Sequence, residues 1–372
     1  MNRPAPKGWC PGAHRPMMSG DGLVVRVRPE GGRLTREQAL QLCEIATRHG
    51  SGVIDLTNRA NLQLRGVTVE GYGEALAALQ SGGLVAPDDP FESRRNIVVF
   101  PFWQPGDLTD RLRHALNERL PTFPGLPAKV GYSVDTGPAP VLHDVSADIR
   151  IERTGERLIV RADGVQRGCS VTEETAIDAV AEMAEWMAER ITPEGGRMAK
   201  VVALHPLPEQ WQNEQATEPE PTPEPHHHPL GRVVGVPFGQ LDARTLAQAI
   251  ETQGVTALRA LPWRLMLFEG TDADLGPAFI TGADDPLLRV DACPGAPFCA
   301  SATVETRALA RQLAPRMQGR LHVSGCAKGC AKSSASDITI VGREGRFDLV
   351  RDGRAWDEPV RTNLTPSDLT RL

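Results

Sequence analysis

The sequence predicts an α+β chain built twice on one plan, each copy a small α/β module followed by a larger one. Three observations carry this. Residues 21–65 (DGLVVRVRPEGGRLTREQALQLCEIATRHGSGVIDLTNRANLQLR) and 230–268 (LGRVVGVPFGQLDARTLAQAIETQGVTALRALPWRLMLF) both parse as strand, helix, strand, strand. Residues 147–164 (ADIRIERTGERLIVRADG) and 336–353 (SDITIVGREGRFDLVRDG) both read as β-hairpins turning at a glycine. The two modules recur in the same order, which chance similarity of one βαββ unit does not explain.

In chain order, residues 1–15 form a tail and 16–86 the first small module. Its helix opens at Thr35 with Gln38 at capping-box spacing. Ala39, Leu42, Cys43 and Ala46 follow at helical intervals, which places Cys43 in the core. In 57–66, TNRANLQLRG, alternation sets Arg59, Asn61, Gln63 and Arg65 on one strand face and Leu62 and Leu64 on the core face. A solvated face reads the same way. The second copy, PWRLMLF, places Met266 and Phe268 against Gln63 and Arg65, so the scaffold is shared but the polar row is not.

The first large module spans 87–205, with a helix over 107–120 and a strand over 128–133. Arg94 and Arg95 precede the strand NIVVF, and Lys129 opens another in LPAKVGYS; taken singly, each is a surface charge. Trp186, with Ala179, Met183 and Met187, reads as helix packing. Residues 206–229 (PLPEQWQNEQATEPEPTPEPHHHP) are too poor in apolar residues to fold and read as a flexible linker, with His226, His227 and His228 solvated in it. The second small module covers 230–283. The second large one covers 284–372, with a helix over 302–314 and a strand over 319–324.

The chain has 372 residues, 40% hydrophobic and 24% charged, enough for two or three real cores. A formal charge of −6 argues against broad attraction to nucleic acid. No apolar stretch approaches a membrane span, and the opening MNRPAPKGWCPGAHRPMM lacks a secretory core. Seven cysteines without such a leader fit a reducing, cytoplasmic setting. Lysine occurs only at 7, 129, 200, 328 and 332, so the basic residues are mostly arginine, which grips carboxylates in a fork. Gly71 and Gly73 lack the strand–turn–helix context of a dinucleotide fingerprint.

Cys293 and Cys299 flank five residues in CPGAPFC, and Cys326 and Cys330 flank three in GCAKGC. Small residues let backbone wrap a bulky inorganic centre, and four soft thiolates suit an iron–sulfur cluster. Structural zinc, two disulfides and buried thiols are the alternatives; the five-residue gap is wider than the usual zinc hook. Cys10 and His14 read as an N-terminal turn or a metal pair. Cys169, in the turn RGCS, has no assigned role.

Together these residues resemble the sulfite/nitrite reductase superfamily. The C-x5-C and C-x3-C motifs match its cluster signature, TNRANLQLRG is similar to its tetrapyrrole-contacting strand, and the tandem duplication matches its architecture. The resemblance covers nearly the whole chain apart from the linker and the first dozen residues. It implies a pseudo-twofold, duplicated fold in which each copy pairs a ferredoxin-like half-domain with a larger reductase-like α/β domain. Within the superfamily the chain resembles most the precorrin-3B synthase branch of aerobic cobalamin biosynthesis. The opening CPGAHRPMMSGDGLVVRVR is similar to that branch. Ala327 and Lys328 stand where the reductases carry Pro and Asn. Lys129 matches the first of their two anion-binding lysines, and Gly131 takes the place of the second.

That resemblance implies a monooxygenase that hydroxylates precorrin-3A at C20 with O2 and closes a γ-lactone from the ring A acetate. It implies a [4Fe-4S] cluster on Cys293, Cys299, Cys326 and Cys330, with Cys330 facing the substrate. It implies tetrapyrrole contacts from Arg59, Asn61, Gln63, Arg65, Arg94, Arg95, Lys129 and Lys328. A mononuclear non-haem iron is implied without its ligands; His14, His143, His205 and His322 are the candidates. NADH-derived electrons would arrive through a separate reductase or ferredoxin. Two alternatives stay open: a sirohaem-dependent sulfite or nitrite reductase, and a non-catalytic iron–sulfur electron carrier or tetrapyrrole-binding protein.

Overall fold

Thr35 opens the first helix as its spacing predicts. Its hydroxyl accepts from the Gln38 N–H at 3.2 Å, and the Gln38 side chain accepts from the Thr35 N–H at 3.1 Å. The computed structural model describes residues 11–192 and 196–371; Cys10, singled out above, lies outside them. The first half-domain runs β1 (Met17–Ser19), β2 (Gly22–Val27), β3 (Arg33–Thr35), α1 (Arg36–His49), β4 (Val53–Leu56), β5 (Leu62–Val67) and α2 (Tyr72–Ser81). The first α/β domain adds α3 (Asp89–Arg94), β6 (Ile97–Val99), α4 (Leu108–Arg119), β7 (Tyr132–Asp135), β8 (Ile149–Thr154), β9 (Arg157–Ala162), β10 (Arg167–Val171), α5 (Glu173–Arg190) and α6 (Met198–Leu204). The connecting segment carries β11 (Glu214–Gln215) and β12 (His226–His228). The second half-domain is β13 (Gly231–Gly235), β14 (Gln240–Asp242), α7 (Ala243–Thr252), β15 (Ala257–Ala260) and β16 (Leu265–Glu269). The second α/β domain is β17 (Val290–Ala292), α8 (Arg307–Leu313), β18 (Leu321–Ser324), β19 (Ser336–Arg343), β20 (Arg346–Gly353), β21 (Arg361–Leu364) and α9 (Pro366–Leu369).

The two half-domains exchange strands. Their sheets run β1-β2-β5-β4-β14 and β12-β13-β16-β15-β3, so each copy completes the other's edge. Leu241 of β14 lies opposite Ile54, and Leu34 of β3 opposite Leu258. Helices α1 and α7 pack together, and one hydrophobic core takes residues from both copies, Leu42, Ile54 and Leu64 with Leu246, Ile250 and Phe268. The boundaries drawn from sequence at 16–86 and 230–283 therefore cut through a single interlocked unit. Strands of three residues carry no usable periodicity, which is why the exchange is invisible in the sequence.

The α/β domains repeat in the same way. Strands β6, β7 and β8 are parallel, with β9, β10 and β11 added antiparallel; β17, β18 and β19 are parallel, with β20 and β21 antiparallel. Each has its own core. The two hairpins predicted to turn at glycine do so at Gly155 and Gly345, both at positive φ.

The segment 206–229 is not a free tether. Trp211 is buried, β11 pairs with β10, and β12 pairs with β13. The three histidines are part of that pairing, and the His228 ring stacks on Phe102 at 4.2 Å. Its composition denies it a core of its own, but the two domains it crosses supply edges to which it adds. Among the described residues no helix is long and apolar enough to cross a membrane.

Candidate functional site

The polar row read from TNRANLQLRG does not form as one strand face. Thr57 and Asn61 close a tight hairpin loop, Thr57 N–H donating to the Asn61 carbonyl at 2.9 Å and Asn61 N–H to the Thr57 hydroxyl at 3.1 Å. Ala60 turns at φ 55°, and β5 begins only at Leu62. Arg59 therefore leaves the row and binds the Lys129 carbonyl and the Ser146 hydroxyl, at 3.0 and 2.9 Å. Asn61 is buried at the strand's root. Gln63 and Arg65 remain on the face predicted for them.

The alignment of the second copy also shifts. Asp55 pairs with Gln63, and its counterpart Arg259 pairs with Leu267. Leu267 and Glu269, not Met266 and Phe268, are thus the counterparts of Gln63 and Arg65. A one-residue slip exchanges the faces of a strand, and short apolar runs do not fix register by themselves.

Gln63 and Arg65 floor a cleft of about 320 Å³ whose opposite wall is the second α/β domain. Arg26 lies beside Gln63 on β2, and Gln63, with its amide oxygen turned to it, accepts from Arg26 Nη2 at 2.8 Å. Arg65 forks onto Asp21 at 2.7 and 3.1 Å and reaches the Phe298 carbonyl at 3.4 Å, tying this sheet to the CPGAPFC loop. Asp55 stands 3.6 Å from Arg65 and 3.5 Å from Arg307. Burial raises its carboxyl above the usual range, with Arg307 and then Arg65 pulling it back. Across the cleft Asp291 lies 3.6 Å from Arg264 and 3.7 Å from Lys332. Arg26, Arg264, Arg307 and Lys332 come from four separate elements, so no local motif marks them as a set.

The cysteine loops leave the ends of neighbouring parallel strands, β17 and β18. Burial raises the Cys293 thiol, the N–H groups of Gly325 and Gly295 lower it, and Cys299 and Cys326 raise it again. The Gly325 N–H donates to Cys293 Sγ at 3.2 Å. Burial, then Cys326, Cys293 and Cys299, raise the Cys330 thiol, and Lys328 lowers it, although Cys330 as a residue is exposed. Cys293 and Cys330 are thus each raised by thiols of the cysteine loops, and none of the four forms a disulfide. Among the described residues no three His, Cys, Asp or Glu side chains are set to hold a single metal ion. The loops are tailored by glycine: a Cβ at Gly325 would come within 2.6 Å of Ala302 Cβ, and one at Gly295 within 2.7 Å of the Thr306 hydroxyl. Four soft donors, an N–H aimed at sulfur and a tight small-residue backbone fit an iron–sulfur cluster.

The other predicted contacts sit elsewhere. Arg94 donates to the Phe123 carbonyl, and Arg95 to buried Glu92 at 3.1 Å. Glu92 also takes Arg28, because a carboxylate taken fully out of water needs paired cations. The Lys129 side chain is exposed, and Lys328 Nζ bonds the Ser301 hydroxyl at 2.7 Å, stapling one cysteine loop to the other. Of the four histidine candidates, His14 bonds the Ala86 carbonyl, His143 is exposed and His205 follows α6. His322 is fully buried, with neither ring nitrogen hydrogen-bonded, and burial pushes it down to about 4. A larger cavity, about 740 Å³, is lined by Phe100, Phe102, Gly137 and His228. Phe100 and Gly137 follow β6 and β7 as Cys293 and Cys326 follow β17 and β18, and the Phe100 ring lies against Gly137. The duplicated scaffold thus holds thiols in one copy and aromatic packing in the other.

The nitrite/sulfite reductase ferredoxin-like half domain matches residues 15–82. Over 94% of its length the chain is 30% identical to a precorrin-3B synthase from Sinorhizobium sp., covering 83% of that protein. Over 86% of its length it is 24% identical to sulfite reductase [ferredoxin] 1 of Mycolicibacterium paratuberculosis, covering 70% of that protein. The solved structure of the Mycobacterium tuberculosis NirA protein matches at a TM-score of 0.65 and 18% identity, over 94% of this chain and 79% of that one.

Proposed function

The chain belongs to the precorrin-3B synthase family, and we propose that it is an oxidoreductase that hydroxylates precorrin-3A at C20 and closes a γ-lactone from the ring A acetate. One atom of O2 enters the product and the other leaves as water, so two electrons must come from a donor, a separate NADH-linked reductase or ferredoxin. The observation that carries this reading is the cleft itself: an arginine-bearing sheet of one copy closes over the four-thiol loops of the other. Precorrins carry acetate and propionate arms. Arg26, Arg264 and Arg307 line the cleft and offer charge-assisted bonds to such arms from both walls, with Lys332 behind Asp291. Asp55 holds Arg307, and Asp291 holds Arg264 and Lys332, while no carboxylate is bound.

Cys293, Cys299, Cys326 and Cys330 would hold a [4Fe-4S] cluster. When bound, it supplies the one-electron chemistry that lets a closed-shell ring react with triplet oxygen. A mononuclear iron has no three-ligand set among the described residues. The test is incubation of anaerobically purified protein with precorrin-3A, reductant and isotopically labelled O2. One labelled oxygen in the product is expected. Tightly bound sirohaem with sulfite or nitrite reduction, and no labelled product, would establish the reductase instead.

A further inference from the structure

Arg307, the first residue of α8, touches both walls of the cleft. Its Nη2 lies 3.5 Å from Asp55 Oδ1 on β4. The preceding Thr306 donates its hydroxyl to the Cys293 carbonyl at 2.5 Å, which pins the Arg307 backbone to the cysteine loop. The Arg307 side chain, 15% exposed, lines the cleft beside Cys293. Its bonding is incomplete for a purely structural pair. Arg307 Nε and Asp55 Oδ1 are both buried without a hydrogen bond, whereas Arg33 grips Glu269 through a fork at 3.0 and 2.8 Å. Burial works against the Arg307 charge, and Asp55 and then Cys293 offset it.

We propose that Arg307 is a positioning residue for electron transfer: it holds a fixed positive charge beside Cys293, Asp55 trims that charge, and together they set the reduction potential of a cluster held by the four thiols. The inference rests on the cluster reading above. A cation near a thiolate-bound centre favours its more negative, reduced form, and a carboxylate disfavours it. Salt screens little of this inside the cleft. Because Asp55 belongs to the sheet facing the substrate and Arg307 to the cysteine domain, the arrangement also links the fit of the two walls to the ease of reduction.

The experiment is a redox titration of the anaerobically purified full chain, followed by electron paramagnetic resonance, for the wild type and for Arg307→Gln, Arg307→Lys and Asp55→Asn. Arg307→Gln is expected to lower the midpoint and Asp55→Asn to raise it. Each shift should be a tenfold change or more in the reduction equilibrium, about 59 mV for a one-electron couple. Arg307→Lys should stay near the wild type. A merely structural pair would not give opposite signs. Shifts of the same sign, or none, with iron and sulfide content intact, overturn the role of Arg307 and leave the cluster standing. If Arg307→Gln fails to fold, an unchanged or lowered midpoint in Asp55→Asn overturns it. Wild-type protein without iron and sulfide overturns the cluster reading and this role with it.

Discussion

Asp55 and Arg259 hold the same register position in the two copies and carry opposite charges. Asp55 faces Gln63 and Gln240, while Arg259 faces Leu267 and Arg33. Their neighbours are reversed too: Arg65 stands beside Asp55, and Glu269 bonds Arg259. In the second copy the pair is closed. Arg259 is 2% exposed, donates to the Pro101 and Trp103 carbonyls, and lies over the Trp103 ring at 4.5 Å. In the first copy the pair opens onto the cleft, and Arg307 completes it from the other domain.

That contrast separates a structural arginine from a functional one. Replacing Arg259 with Met should cost about 3–5 kcal/mol in urea unfolding, the usual loss when one member of a buried ion pair is removed. Asp55→Asn removes a carboxyl that burial already disfavours, from a pair that opens onto the cleft, and should cost less. Equal losses would mean that the two pairs do the same work.

Much of the fold was legible because its signals are local. The capping box at Thr35, the paired hairpins and the helical run of Ala39, Leu42 and Cys43 each depend on residues close in sequence, and all form. The strand exchange, the three-residue loop at Asn58–Ala60 and the one-residue offset between copies depend on tertiary pairing, which a period-two pattern cannot set. For the same reason the cysteine loops and Gln63 were legible, whereas Arg26, Arg264 and Arg307 were not. Arg94 and Arg95 carried the right chemistry, but Glu92 draws Arg95 to a buried carboxylate outside the cleft and Arg94 turns to the Phe123 carbonyl.

Because each half-domain supplies an edge strand to the other, neither should fold alone. Residues 11–220 and 221–371 expressed separately, so that β11 stays with the first fragment and β12 with the second, are expected to be insoluble or molten, and to recover native circular dichroism on mixing. Leu42→Ala, in the shared core, should lower stability by about 2–5 kcal/mol. A single unfolding transition should report the loss in both half-domains at once. Two separable transitions would contradict the interlock.

Cys330 is the most exposed of the four cysteines as a residue, while burial of its thiol and then the other three thiols raise it. Cys330→Ser should abolish visible iron–sulfur absorption and reduce precorrin-3A turnover by more than the roughly 10–100-fold seen when partners outside the ligand shell are lost. Gly325→Ala should do the same by a different route, since its Cβ would press on Ala302 and displace the N–H aimed at Cys293. Full absorption and turnover in Cys330→Ser would remove the cluster from the proposed function.

Asp135 gives a pH dependence of stability with a definite sign. It is 1% exposed at the end of β7, and its Oδ2 accepts from the Val141 and Leu142 N–H groups, each at 2.7 Å. Burial outweighs those bonds and pushes the carboxyl up to about 6 from 3.8. Between those two values the folded chain holds a proton that the unfolded chain has released, so stability falls as pH rises through the window. By about pH 7 the ionised group costs about 3 kcal/mol relative to an unshifted carboxyl. His322 contributes the opposite slope. Burial lowers it to about 4 from 6.5, so its share of stability is present at neutral pH and lost as pH falls through that range. The two partly cancel in the wild type, and the difference between variants isolates each. Asp135→Asn keeps an oxygen for the two N–H groups and loses the titration. Measured by urea unfolding, the gap between variant and wild type should move in favour of the variant by about 2.4 kcal/mol from pH 4 to pH 7. A gap constant with pH would show that the Asp135 carboxyl titrates alike in the folded and unfolded chains.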